Sequence, residues 1–177
     1  MSNHDFPRLV TRYGADNAAA AAVLLLTLPG MAFVYAGDEI GMPDGPGVQP
    51  PFDRAGRDPH RHPMQWEPGP HGGFTTGKPW LPMIDAPGVN VQAEAGDGNS
   101  LLALYQQLIA LRPQLGPGLT MLDTAPDVVA YTRGSHVVAI NTGAEPAPAP
   151  SFGEVVIATK PLQAGQLAPH AAAVARS

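Results

Sequence analysis

The segment from Gly37 to about Gly98 constrains this chain more than any other: it is dense in Pro, Gly, Asp and His and carries neither a helical nor a strand period. Irregular stretches of that length are uncommon inside compact domains and are usually functional. Every peptide group in such a stretch still needs a hydrogen-bond partner, so regular elements must hold its two ends. Both brackets are legible. On the N-terminal side the Ala-rich run Ala18 to Leu28 predicts a helix, with Asp16 or Asn17 as cap and Pro29-Gly30 as stop. Met31 to Ala36 follows, apolar with aromatic and β-branched members and closed by Gly37-Asp38; it reads as a strand buried on both faces. Helix followed by buried strand is the rhythm of parallel α/β units. On the C-terminal side Leu101, Leu104, Tyr105, Leu108 and Leu111 recur at helical spacing, with Asn99 or Ser100 as cap and Pro113 as terminator.

Beyond Gln114 the period changes. Val128 to Thr132 and His136 to Ile140 flank the link Arg133-Gly134-Ser135 as a hairpin, Glu154 to Ala158 reads as a further strand, and Ala171 to Ala175 as a last, weak one. The Pro/Ala run Glu145 to Pro150 reads as a stiff connector outside the core. The expected organisation is therefore α/β over residues 1–113 and a small antiparallel β domain over 114–177, with a boundary between Arg112 and Pro117.

Charge and cysteine narrow the function classes. With 15 acidic and 10 basic side chains the formal charge is −5, which offers no footprint for nucleic acid or anionic lipid. There is no Cys, hence no disulfide, thiolate ligand or cysteine nucleophile. The apolar run Ala18 to Leu28 falls short of the ~20 residues a membrane span needs and follows no basic n-region, so a cytoplasmic location is expected.

Three local features stand above background. In Asn3-His4-Asp5 an acidic acceptor adjoins a histidine, a pair suited to gripping neighbouring hydroxyls but, on spacing alone, more often a cap or a turn in solvent. In Gly56 to Trp66, Arg57 and Arg61 either form an ion-pair network with Asp58 or reach out to a substrate or catalytic carboxylate. His60, His62 and His71 lack the spacing of a zinc site, so neither metal nor cofactor is expected. Trp66 and Trp80 read as aromatic anchors pinning the long segment to the core. The third feature is Gly73-Phe-Thr-Thr-Gly77.

Taken in order, NHDFPRLVTRYG, LTLPGMAFVYAGDEIGMP, GRDPHRHPMQW, GGFTTGKPWLP and SLLALYQQLIALR resemble the C-terminal half of an α-glucosidase of the α-amylase superfamily (glycoside hydrolase family 13), in the oligo-1,6-glucosidase and maltase branch. The tail DVVAYTRGSHVVAINTG with GEVVIATKPL more weakly resembles the β-sandwich that follows the barrel in those enzymes. The resemblance implies the end of a TIM-type (β/α)8 barrel, from the close of strand seven through helix eight, whose active site lies at the C-terminal ends of the strands. It places Met31 to Ala36 as the eighth strand and the long segment as the eighth βα loop. It implies that Asp5 holds hydroxyls of the glucose being cleaved and stabilises the transition state. His4 would hydrogen-bond the same sugar, and Arg61, rather than Arg57, would shape the pocket.

The family reaction is retaining hydrolysis by a nucleophilic Asp and an acid Glu about 5–5.5 Å apart. Neither segment matches anything among these residues, and Glu39 is expected to be structural. The chain is thus expected to be a C-terminal fragment, inert alone, and unstable or partly ordered before about residue 100 because half a barrel leaves strand edges open. The expected ligand is a maltose- or isomaltose-type α-glucoside, and the expected protein partner is the missing N-terminal half of the barrel. The alternatives are a non-catalytic barrel-completing partner, a sugar-binding fragment, and, within the family, a trehalose synthase or other glucosyl-transferring relative. FTTGKPWLP favours α-glucosidase over trehalose synthase.

Overall fold

The computed structural model describes residues 1–177, and contacts divide them into two units, Met1–Ala18 with Phe33–Ala103, and Ala19–Ala32 with Leu104–Ser177. The helices are α1 (Leu9–Tyr13), α2 (Ala18–Thr27), α3 (Val91–Ala95) and α4 (Leu101–Leu111), with single 3₁₀ turns at Ala15–Asn17, Asp38–Ile40, Asp58–Arg61 and Arg112–Gln114. None is long and apolar enough to cross a membrane.

In the first unit the long segment folds around a small apolar cluster of Ile40, Met42, Met64 and Ile84, joined by Val89, Val91 and Leu102. With almost no regular structure to pair the backbone, side chains take over. Gln65 Nε2 donates to the carbonyls of Ala86 (2.9 Å) and Val89 (3.1 Å). His62, only 2% exposed, sets its two ring nitrogens against the carbonyls of Pro82 (2.7 Å) and Pro46 (2.9 Å). Arg8 is likewise buried; its Nη1 donates to Ala36 O (2.8 Å) and its guanidinium lies 4.6 Å from the centre of the Tyr35 ring. Gly37 has φ 102°, and a Cβ there would come within 2.7 Å of Arg8 Nη1, so conformation and space both call for glycine. Glu39 is structural, accepting from Gly37 N at 2.8 Å. Asn90 caps α3 by accepting from Ala93 N (2.8 Å), and Ser100 caps α4 by accepting from Ala103 N (3.1 Å).

Two expectations fail in this part of the chain. Neither Asp16 nor Asn17 caps α2: the 3₁₀ turn Ala15–Asn17 runs straight into it, and Asn17 Nδ2 donates back to Tyr13 O (2.8 Å). Nor do Met31 to Ala36 form the expected eighth strand. They have no ladder partner, and Met31 and Phe33 are 81% and 76% exposed. The physical reason is that a parallel strand exists only through its neighbours, and every named strand of this chain lies at Thr120 or beyond.

In the second unit, strands β1 (Thr120–Met121), β2 (Val128–Arg133), β3 (His136–Asn141), β4 (Ala147–Pro148), β5 (Glu154–Ala158), β6 (Gln166–Leu167) and β7 (Ala172–Arg176) form an antiparallel five-stranded sheet of order β1-β2-β3-β7-β5 and a two-stranded sheet, β4-β6. The expected hairpin is β2–β3, closing with Arg133 opposite His136 across Gly134 at φ 61°. Val128, Ala130, Ala139 and Ala173 of the large sheet share one buried cluster with Ala147 and Leu167 of the small one. This corrects the assignment of Glu145 to Pro150 as a mere connector: Pro148 has no N–H to give, but an edge pair tolerates it, and Ala147 enters the core. Ala171 to Ala175 was expected as a weak last strand; Ala172 to Ala175 of β7 are fully buried between β3 and β5.

Loop ends in this unit are tied by arginines. Arg112 Nη1 reaches Leu28 O (3.1 Å) and also Leu26 O at the close of α2, while buried Arg133 donates to Gly116 O (2.7 Å) and to Thr27 O.

Candidate active site

The first unit brings the Asn3-His4-Asp5 tripeptide and the Gly56–Trp66 motif together. Asn3 Oδ1 accepts the amides of Asp5 (2.8 Å) and Phe6 (3.1 Å), an Asx-type turn that fixes the backbone at Asp5. Arg57 precedes the 3₁₀ turn Asp58–Arg61 and Arg61 ends it, so both guanidinium groups leave on the side facing the tripeptide. Arg57 Nη1 donates to Asp5 Oδ1 at 2.6 Å; Arg61 Nη2 lies 3.4 Å from the same oxygen, and Arg61 Nε donates to His4 O at 2.9 Å. His4 Nε2 stands 3.4 Å from Asp5 Oδ2. The three expected site residues, His4, Asp5 and Arg61, therefore meet, and Arg57, the alternative arginine, meets Asp5 more closely.

The electrostatics follow from that geometry. The hydrogen bond from Arg57, followed by the charges of His4, Arg57 and Arg61, holds the Asp5 carboxyl below its ordinary value, so it is ionised at neutral pH. Its side chain is 42% exposed. An ionised carboxylate offers about four lone-pair sites, and the Oδ2 side, met only by His4, remains open to hydroxyl donors. Asp58 does not join the ion pairs. It is 1% exposed and its Oδ2 accepts the amides of Phe52 (2.8 Å) and Asp53 (3.3 Å), so it shapes the loop instead.

Asp53 was not among the expected residues. Its carboxylate binds Arg57 through Nε (2.8 Å), Nη2 (2.9 Å) and the backbone amide (3.0 Å). Each group pushes the other toward its charged form, Asp53 downward and Arg57 upward, chiefly through that side-chain contact. The only signal in the sequence is the Asp-x-x-x-Arg spacing of Asp53 and Arg57, which carries meaning on a helix and falls here in an aperiodic segment.

Arg61 also lines a cavity of about 320 Å³, whose walls include Tyr35, His62, Trp66, Phe74 and Trp80. Trp66 and Trp80 are not buried anchors: they are 52% and 56% exposed, and Trp80 stacks at a tilt on Phe52 with ring centroids 5.4 Å apart. The segment is pinned by Met42, Met64, Leu81 and Ile84 instead, unbranched or aliphatic side chains that fill gaps between turns better than a rigid indole. No group of three or more His, Asp or Glu side chains is arranged to hold a metal ion. His60 pairs with Asp44 at 3.0 Å, and His62 is spent on the two carbonyls.

A family model described as alpha amylase, catalytic domain, matches residues 1–118. The oligo-1,6-glucosidase of Halalkalibacterium halodurans is 33% identical over 171 residues, covering 75% of this chain and 30% of that protein. The salivary alpha-glucosidase of Anopheles gambiae is 35% identical over 173 residues, covering 85% and 29%. Among solved structures, the trehalulose synthase MutB from Pseudomonas mesoacidophila MX-45 superposes with a TM-score of 0.87 at 28% identity, over 99% of this chain and 42% of its own. The chain thus spans 29–30% of the length of these two curated relatives. On the strength of the matched domain and these likenesses, the chain belongs to the alpha-amylase family.

Proposed function

We propose that residues 1–113 are the closing part of the (β/α)8 barrel of a cytoplasmic retaining α-glucosidase and that 114–177 are its C-terminal β-sandwich domain. Asp5 would grip hydroxyls of a terminal α-linked glucose in a maltose- or isomaltose-type oligosaccharide and stabilise the positive charge of the oxocarbenium-like transition state. His4 and Arg61 would hold the same ring and shape its pocket. The observation that carries this reading is the convergence of His4 and two arginines on one ionised, half-open carboxylate. A carboxylate kept charged is an acceptor and a counter-charge, the two properties this role needs.

Neither Asp5 nor Asp53 suits the part of proton donor, since both are held ionised by Arg57. The nucleophile and acid, about 5–5.5 Å apart in retaining enzymes, would therefore come from an N-terminal barrel portion acting as partner. Co-expression of this chain with the N-terminal portion of a related α-glucosidase is expected to yield hydrolysis of p-nitrophenyl α-glucoside. Asp5→Asn should lower kcat at least about 10²-fold. Hydrolysis that is indifferent to Asp5→Asn overturns the assignment.

A further inference from the structure

The Asp53 carboxylate takes one whole edge of the Arg57 guanidinium. Its two oxygens accept from Nε and Nη2 at 2.8 and 2.9 Å, and Oδ2 also accepts the Arg57 amide at 3.0 Å. Backbone and side chain of Arg57 are thus tied to a single group. The fork of a guanidinium is rigid and planar, so fixing the Nε/Nη2 edge fixes the direction of Nη1, which points at Asp5 Oδ1 at 2.6 Å. Asp53 is itself held, its amide donating to the buried Asp58 carboxylate, and its side chain is only 15% exposed against 36% for Arg57 and 42% for Asp5. A free arginine beside one carboxylate tends to close on both its oxygens, which here would occupy the Oδ2 side of Asp5 as well.

We propose that Asp53 is a positioning residue: by holding Arg57 along its Nε/Nη2 edge it aims one N–H at Asp5 Oδ1 and keeps the other oxygen of Asp5 free for a ligand. The geometric half stands on the contacts above, and the functional half rests on the role proposed for Asp5. The charged or titratable groups facing Asp5 are Arg57, Arg61 and His4, so its carboxyl reports directly on where Arg57 is.

The test is the titration of the Asp5 carboxyl in the 177-residue chain, followed by ¹³C NMR. With Asp53→Asn the midpoint is expected to fall, because the released Arg57 closes on both oxygens of Asp5, whereas Arg57→Met should raise it. In an Arg57→Met background Asp53→Asn should add nothing. A midpoint that stays or rises with Asp53→Asn overturns the proposal, since Arg57 then does not close on Asp5 when released; so does an equal fall in both backgrounds, which is plain through-space charge. Asp53→Ser, which keeps an acceptor for the Arg57 amide, serves if Asp53→Asn fails to fold. In the co-expressed glucosidase Asp53→Asn should lower kcat and Asp53→Glu should restore part of it. A titration that moves while hydrolysis does not would refute the role given to Asp5 and leave the positioning intact.

Discussion

Thr27 and Tyr131 offer a sharp energetic test within the second unit. The Thr27 hydroxyl donates to Val23 O at 2.6 Å, so its single proton is used and the Tyr131 hydroxyl, 2.6 Å away, must be the donor between the two. Both residues are 1% exposed. Tyr131→Phe removes one donor and leaves Thr27 satisfied through Val23, at a net cost of about 1 kcal/mol. Thr27→Val is worse although it deletes fewer atoms. It leaves the Tyr131 hydroxyl without its Thr27 acceptor in a dry site, an added penalty of about 1–3 kcal/mol. The double variant has no orphan and should cost only about 1 kcal/mol, so it is more stable than Thr27→Val alone. Urea unfolding at pH 7, followed by far-UV circular dichroism, gives the three differences. If the double variant falls at the sum of the singles, the hydroxyls are not coupled and the argument fails.

Three further outcomes are expected. Leu167→Ala should destabilise the second unit by about 2–5 kcal/mol in the same assay, because Leu167 is 1% exposed in the cluster linking the two sheets. His136 is buried at the β3–β7 register opposite Arg176, and burial first and that charge second hold it below its ordinary 6.5; the unfolded chain then takes the proton more readily, so stability present above pH 6.5 is lost as pH falls from there. His136→Leu should flatten that loss in urea midpoints measured across pH. His62→Ala removes two contacts to the Pro46 and Pro82 carbonyls and leaves a void, at about 2–4 kcal/mol, and should redden Trp66 and Trp80 fluorescence at lower urea than in the unsubstituted chain.

What the sequence revealed depended on how local the deciding forces are. Helix α4 was legible because its period, its Ser100 cap and its Pro113 stop all lie within a few residues of each other. The β2–β3 hairpin was legible for the same reason, through Gly134. Met31 to Ala36 misled because an apolar β-rich run states only that it needs cover, and the cover is supplied by other strands. Ala171 to Ala175 was legible as a strand but underrated in strength: alanine has little strand preference, yet its small side chain suits a strand flanked on both edges. At the site, His4, Asp5 and Arg61 were proposed through ordered motifs, where spacing alone favoured a solvated turn, and the fold brings the three together. Asp53 escaped because its partner is chosen by the turn that Asp58 holds, and no period announces a turn of that kind. The tryptophans were misjudged because exposure of a large ring in a loop depends on which smaller residues have already filled the core.

The central place of β7 has a consequence for how the chain is made. Strands β3 and β5 do not touch each other in the sheet; each pairs with β7, which follows both in the chain. While the ribosome is still adding residues 142–171, β5 has no template and β3 presents one bare edge to the surroundings. Joining β5 to the β1–β2–β3 part must then wait for β7, and the long-range β3–β7 pairing is slow by topology and leaves a window in which the nascent edge is open to wrong partners. Early termination a few codons short of β7 should therefore leave β5 without a partner and β3 with a bare edge, even though the β2–β3 hairpin is complete.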